Sequence, residues 1–147
     1  VEEMPCIMEV AGIATASYRS TAKDTVCFPP NPVPYIHLAP LKDGYSPPEG
    51  GEGCGGLHEP ISLDEKEKMW RARNQCTSGR RTWLKQDGTK CFSWPCDANF
   101  ASCHVDGGRG WPGTKRRIFD IKKCDGKPAD FPYAKTIWQF FARGPTE

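Results

Sequence analysis

Apolar residues recur at helical spacing in one segment of the chain and alternate, strand-like, in another. The helical segment runs from Ser62 to Gly79, SLDEKEKMWRARNQCTSG. Ser62 is a good N-cap, Glu65 three residues on completes a capping box, and Asp64 with Glu65 suits the positive end of the helix dipole. Gly79 marks the expected stop. At about 100° per residue, Leu63, Lys66, Met69, Trp70, Arg73, Cys76 and Thr77 share one arc, and Glu67 and Arg71 fall outside it. That arc holds every large apolar side chain of the segment, so it should face a sheet. Arg73 then has to run along Trp70 or meet a carboxylate or backbone carbonyls, because an unpaired buried charge is strongly unfavourable.

The alternating segment is RRTWLKQDGTKCFSW, residues 80–94. Asp87-Gly88 is a two-residue type I′ turn signature between β-prone flanks. This register pairs Gln86 with Thr89, Leu84 with Cys91, Trp83 with Phe92 and Thr82 with Ser93, which sets two aromatics across from each other. Pro95 ends the hairpin, and DANFAS between Cys96 and Cys103 suggests a helical turn capped by Asp97. The alternation of KRRIFDIKK, residues 115–123, reads as a further strand, followed by a turn at Asp125-Gly126. TIWQFFA, residues 136–142, suits a strand by composition and a helix by the spacing of Tyr133, Ile137, Phe140 and Phe141.

Before the helix the pattern is looser. CIMEVAGIATASY, residues 6–18, leans to a strand through Cys6 to Val10. From Cys27 to Cys54 the chain is crowded with prolines (Pro29, Pro30, Pro32, Pro34, Pro40, Pro47, Pro48) that exclude a continuous helix and discourage ladder pairing. The expectation is a long extended excursion, residues 28–53, tethered by the cysteines at its ends. It is a candidate binding loop.

Composition sharpens this layout. The chain has 147 residues, a size that suits one domain, but only 37% are hydrophobic and 15 Gly and 14 Pro enforce many turns. A core this thin calls for covalent support, and eight cysteines can give it: Cys6, Cys27, Cys54, Cys76, Cys91, Cys96, Cys103 and Cys124. Even cysteine usage favours disulfides in an oxidising compartment. With Val1 first and no charged-then-apolar leader, the expectation is a mature secreted, extracellular domain spanning 1–147. No apolar run reaches the roughly 20 residues of a membrane span. Net charge is +2, yet residues 1–67 carry 11 acids and 4 bases (−7) and residues 68–147 carry 16 bases and 7 acids (+9). The two halves could attract one another, or the basic half could meet a partner.

Chemistry-bearing patterns are sparse. Cys91, Cys96, Cys103 and His104 do not have zinc-ligand spacing, so neither a metal nor a cofactor is expected. An even cysteine count leaves no obvious thiolate nucleophile. A secreted ribonuclease or other small hydrolase would need a His/Glu/Arg cluster, for which His37, His58 and His104 and the basic segments 71–81 and 115–123 are raw material, although the three histidines stand in unrelated contexts. Arg81, Trp83, Lys85, Lys90 and Phe92 interleave bases with aromatics as nucleic-acid binders do, but a half-buried sheet has the same pattern, so nucleic acid is not the expected partner. The Gly-rich loop 106–114 lacks the GxxxxGK[ST] of a phosphate cradle and carries Arg109 and Trp111, which with Arg71 form a candidate recognition surface. A protease inhibitor or carbohydrate-binding module using the Pro-rich excursion or Trp111 is a further reading.

Trp70 to Asn74 reads WRARN, which resembles the Trp-Arg-x-Arg-(Arg/Lys) motif of the LARS family of secreted fungal avirulence effectors. Trp70, Arg71 and Arg73 match it, and Asn74 departs from it where the family has a base. The resemblance covers the motif and the overall layout. It implies an antiparallel four-stranded sheet covered by helices and loops and laced by disulfides. It also implies a non-enzymatic protein of a plant-pathogenic fungus, secreted into the host apoplast, recognised by host resistance proteins or masking recognition of a relative, with no catalytic residues. Its partners would be host proteins, a plant immune receptor or its guarded target.

Pattern and resemblance together predict an α+β fold: an antiparallel sheet of about four strands packed with one main helix and long disulfide-tethered loops, as a monomer. Within the motif, Trp70 and Arg73 are expected to be structural and Arg71 exposed for contact.

Overall fold

A computed structural model of the chain describes residues 32–44, 46–54, 61–108, 127 and 130–145. Outside them lie the strand expected at Cys6 to Val10, the strand at 115–123, the Asp125-Gly126 turn, and Cys6, Cys27, Cys124, His58, Arg109 and Trp111.

The fold is α+β. Strands Tyr35–Pro40 (β1), Arg81–Gln86 (β2), Thr89–Trp94 (β3) and Phe100–Val105 (β4) form one four-stranded sheet in the order β1-β4-β3-β2. Among the described residues two helices accompany it, Leu63–Arg73 (α1) and Tyr133–Arg143 (α2). β2, β3 and β4 are antiparallel, while β1 joins β4 in parallel. That parallel strand comes from the Pro-rich excursion, which is therefore not extended loop throughout. The residues from Tyr35 to Ala39 are free of proline, so their N–H groups can enter a ladder.

Side-chain alternation along each strand gives the sheet two covered faces. Ala101, Cys103 and Val105 share a core with Ile36, Leu38, Cys91, Phe131, Tyr133 and Phe140, so α2 covers this face. Phe100 shares the other core with Trp70 and Trp94, so α1 covers that one. Residues 136–142 are thus helical. Tyr133, Thr136 and Phe140 fall on one buried stripe, whereas a strand would need an apolar cover on each side.

The hairpin turn has the expected I′ form, with φ of 47° at Asp87 and 79° at Gly88. Gln86 pairs with Thr89 and Leu84 with Cys91, but an irregularity between Thr82 and Leu84 shifts the register, so that Thr82 meets Phe92 and Arg81 meets Ser93. Trp83 consequently packs on the α2 side and Phe92 on the α1 side; the expected Trp83–Phe92 pair does not form. Phe100, Ala101 and Ser102 belong to β4 instead of a helical turn.

Two disulfides are described. Cys91–Cys103 joins directly paired residues of β3 and β4, and Cys76–Cys96 ties the end of α1 to the end of the hairpin. Their sequence separations are 12 and 20. Closing loops of this size restricts the unfolded chain by about 3 kcal/mol each. Cys54 is also disulfide-bonded.

Candidate functional site

α1 begins as its sequence dictates. The Ser62 hydroxyl accepts from Glu65 N at 3.2 Å, and the Glu65 carboxylate accepts from Ser62 N at 2.9 Å. It ends earlier than Gly79. Asn74 is the C-cap, and Gln75 takes the left-handed conformation at φ 53°. Gln75 N donates to Ala72 O and Cys76 N to Arg71 O, the paired bonds of a Schellman cap. The WRARN motif is therefore the last turn of the helix and its cap.

Each motif side chain has a defined contact. Trp70 is buried and lies flat against Tyr35, with ring centroids 3.7 Å apart and planes 10° from parallel. The Arg73 guanidinium sits 4.5 Å above the Trp70 ring, one of the arrangements that its place on the wheel allowed. Arg71 is half-buried, 5.4 Å over the Trp94 ring. The expectation that it stands clear is corrected: Trp94, at the end of β3, rises beside the last turn of α1 and takes the cation on its face. Asn74 is fully buried, and its amide bonds Val33 and Ala98 backbone groups.

A second correction concerns Glu67. The buried side chains of α1 are Glu67 and Trp70, with Met69 packed against the same core as Trp70. Glu67 Oε1 lies 2.7 Å from His104 Nε2 on β4. Burial pushes the Glu67 carboxyl upward, but the hydrogen bond with His104, the nearby Ser102 hydroxyl and the charges of His104 and Arg80 outweigh it and hold the pKa below the ordinary value. His37 is beside this pair on the same face, since His37 registers with Ser102 and Ala39 with His104. Burial, helped by the charges of Lys66 and His104, lowers its pKa well below 6.5 and keeps it neutral. Its Nδ1 is buried without a hydrogen-bond partner among the described residues.

Two of the three histidines are thus neighbours on one face of the sheet, and one of them, His104, is bonded to a carboxylate from α1, although their sequence contexts are unrelated. The group contains acid–base chemistry, but α1 covers it. Side-chain exposure is 27% at His104 and 11% at Glu67, and His37 is 7% exposed. Its evident work is to clasp the polar end of α1 to the sheet, as the Tyr35–Trp70 stack does at the apolar end. The cysteine set considered for a metal is otherwise engaged, with Cys91 bonded to Cys103 and Cys96 to Cys76.

The outer surface presents one feature that the sequence reading missed. Trp138 is 74% exposed and Phe141 44% exposed on α2. The inward stripe of α2 leaves Trp138 no way to face the core, a signal readable once the segment is known to be helical. A groove of about 420 Å³ lies at one end of the sheet, lined by Arg81, Trp83, Trp94, Asn99 and Pro145 among others.

Comparison of the chain with protein-family models, curated proteins and solved structures gives no match. Function therefore rests on the residues themselves. Among the described residues no helix is long and apolar enough to cross a membrane. The disulfides are compatible with an oxidising compartment.

Proposed function

We propose that this chain is a secreted, non-enzymatic effector of a plant-pathogenic fungus, acting by protein–protein contact in the host apoplast. Its partner is a host immune receptor or the protein that receptor guards, and recognition of it, or masking of a relative, is its outcome. The observation that carries the contact reading is Trp138, an indole left 74% exposed beside a 44% exposed Phe141 on a helix whose other face is well buried. Tryptophan is among the residues enriched at the energetic hot spots of protein interfaces. Support for the effector class comes from the resemblance at Trp70, Arg71 and Arg73, now placed on a helix against a disulfide-linked four-stranded sheet. Two features depart from the family plan: β1 is parallel, and Asn74 is a buried cap where a base would stand.

The test is delivery of the protein to a panel of plant lines. A cell-death response in some lines, lost with Trp138→Ala at unchanged melting temperature, is expected. The same response from wild type and variant would remove Trp138 from the reading.

A small secreted ribonuclease is the runner-up, favoured by one observation: His37, His104 and Glu67 meet under α1. RNA cleavage abolished by His104→Ala would establish it over the first reading. Intact RNA after prolonged incubation would dismiss it.

A further inference from the structure

The outer face of α2 combines an apolar strip with an unbalanced charge. Ala134, Trp138, Phe141 and Ala142 follow one another at helical spacing, and all are exposed. Lys135 is exposed in the first turn and Arg143 in the last, at the two ends of the helix, and α2 contains no acidic residue. Neither cation is ion-paired among the described residues.

Lys135 is also in an unexpected place. It occupies the first turn, where the helix dipole favours carboxylates, and the Pro132 cap supplies no side-chain hydrogen bond. A cation there adds to the positive end of the dipole and costs the helix a little stability. A local rule broken without a gain inside the fold points to a role outside it.

We propose that this face of α2 is the docking surface for an acidic amphipathic segment of a partner protein, with Trp138 and Phe141 as anchors and Lys135 and Arg143 meeting flanking carboxylates. This rests on the protein-contact reading above and specifies the chemistry of the partner. Charge decides among the occupants. A second copy docking through the same face would set Lys135 and Arg143 against their own kind. An acidic partner gains attraction at both ends of the helix, with faster association as a further benefit. An anionic membrane surface offers the same sign of charge, so it has to be separated by experiment.

Two labelled synthetic helical peptides with identical Leu/Phe faces provide the probe, one flanked by Glu and the other by Lys. Anisotropy with the full chain should show the Glu peptide binding about tenfold or more tighter, weakening as salt rises from roughly 0.05 M to roughly 0.5 M and screening shortens. Trp138→Ala should weaken it about tenfold or more, and Lys135→Glu with Arg143→Glu should erase the preference between peptides. Equal binding of both peptides, or binding of neither, overturns the proposal. So does saturable binding to phosphatidylglycerol vesicles that competes with the peptide, or a Trp138-dependent dimer in sedimentation. If Trp138→Ala abolishes the plant response while the peptides bind equally, protein contact stands and the acidic partner falls. If Trp138→Ala leaves the plant response intact, the contact reading of α2 itself is lost.

Discussion

Asn74 holds Val33 from both ends of its amide: Nδ2 donates to Val33 O at 2.8 Å, and Oδ1 accepts from Val33 N at 3.4 Å. The same Nδ2 donates to Ala98 O at 3.2 Å, and Asn74 O accepts from Asp97 N. One fully buried side chain thus fastens the lead-in to β1, the end of α1 and the turn before β4.

Removing that amide strands buried backbone groups. Asn74→Ala should lower unfolding free energy by about 2–4 kcal/mol in urea titration, since each orphaned group costs about 1–3 kcal/mol. Asn74→Lys, which restores the base of the motif, should be at least as harmful, because the ammonium would replace an amide in a site with no exposure. A stable Asn74→Lys variant would refute the structural role of this residue.

The Schellman cap predicts a gain. Gln75 is exposed and holds φ 53°, a conformation that glycine adopts without a Cβ penalty. Gln75→Gly should raise stability by about 0.5–1 kcal/mol, readable as a higher melting temperature.

Acid should weaken the fold through His37. Its folded pKa lies well below 6.5, so between the two values the unfolded chain binds a proton that the folded chain refuses. Stability from this group is complete above pH 6.5 and falls as pH drops below it. Glu67 acts lower: with its folded pKa under the ordinary 4.5, its contribution is present above that value and is lost as pH falls through the folded one. Melting temperatures measured from pH 7.5 to 5 should therefore decline for the wild type and stay flatter for His37→Gln. Parallel curves would show that His37 is not the group responsible.

Glu67 and His104 should be coupled. Glu67→Gln, His104→Phe and the double variant form a cycle whose interaction energy is expected at about 1–3 kcal/mol at pH 7. Additive effects would mean that the 2.7 Å contact contributes nothing specific to docking α1.

At the hairpin, Gly88 has φ 79°, and a Cβ there would come within 2.9 Å of Asp106 Oδ2. Asp106 also pairs with Lys42 at 2.6 Å, which limits its retreat. Gly88→Ala should cost at least about 1 kcal/mol by thermal unfolding.

Legibility follows the distance between partners. The Ser62–Glu65 box and the Asp87-Gly88 turn depend on neighbours three residues apart or fewer, and both are readable from the chain alone. Glu67 reads as outward because its acceptor role is answered 37 residues away, by His104. The hairpin register slips at Trp83 because the α2-side core claims that indole, and no local pattern announces it. β1 hides among prolines because its ladder partner is β4, far along the chain. Residues 136–142 are ambiguous until the buried stripe of Tyr133, Thr136 and Phe140 resolves them.

The parallel pairing of β1 with β4 also orders events in time. α1 and the β2–β3 hairpin can assemble from near neighbours, and β4 follows the hairpin directly. β1 must wait until a loop containing all of them has closed. Such distant pairing is slow to form, so the closing of this edge should set the refolding rate.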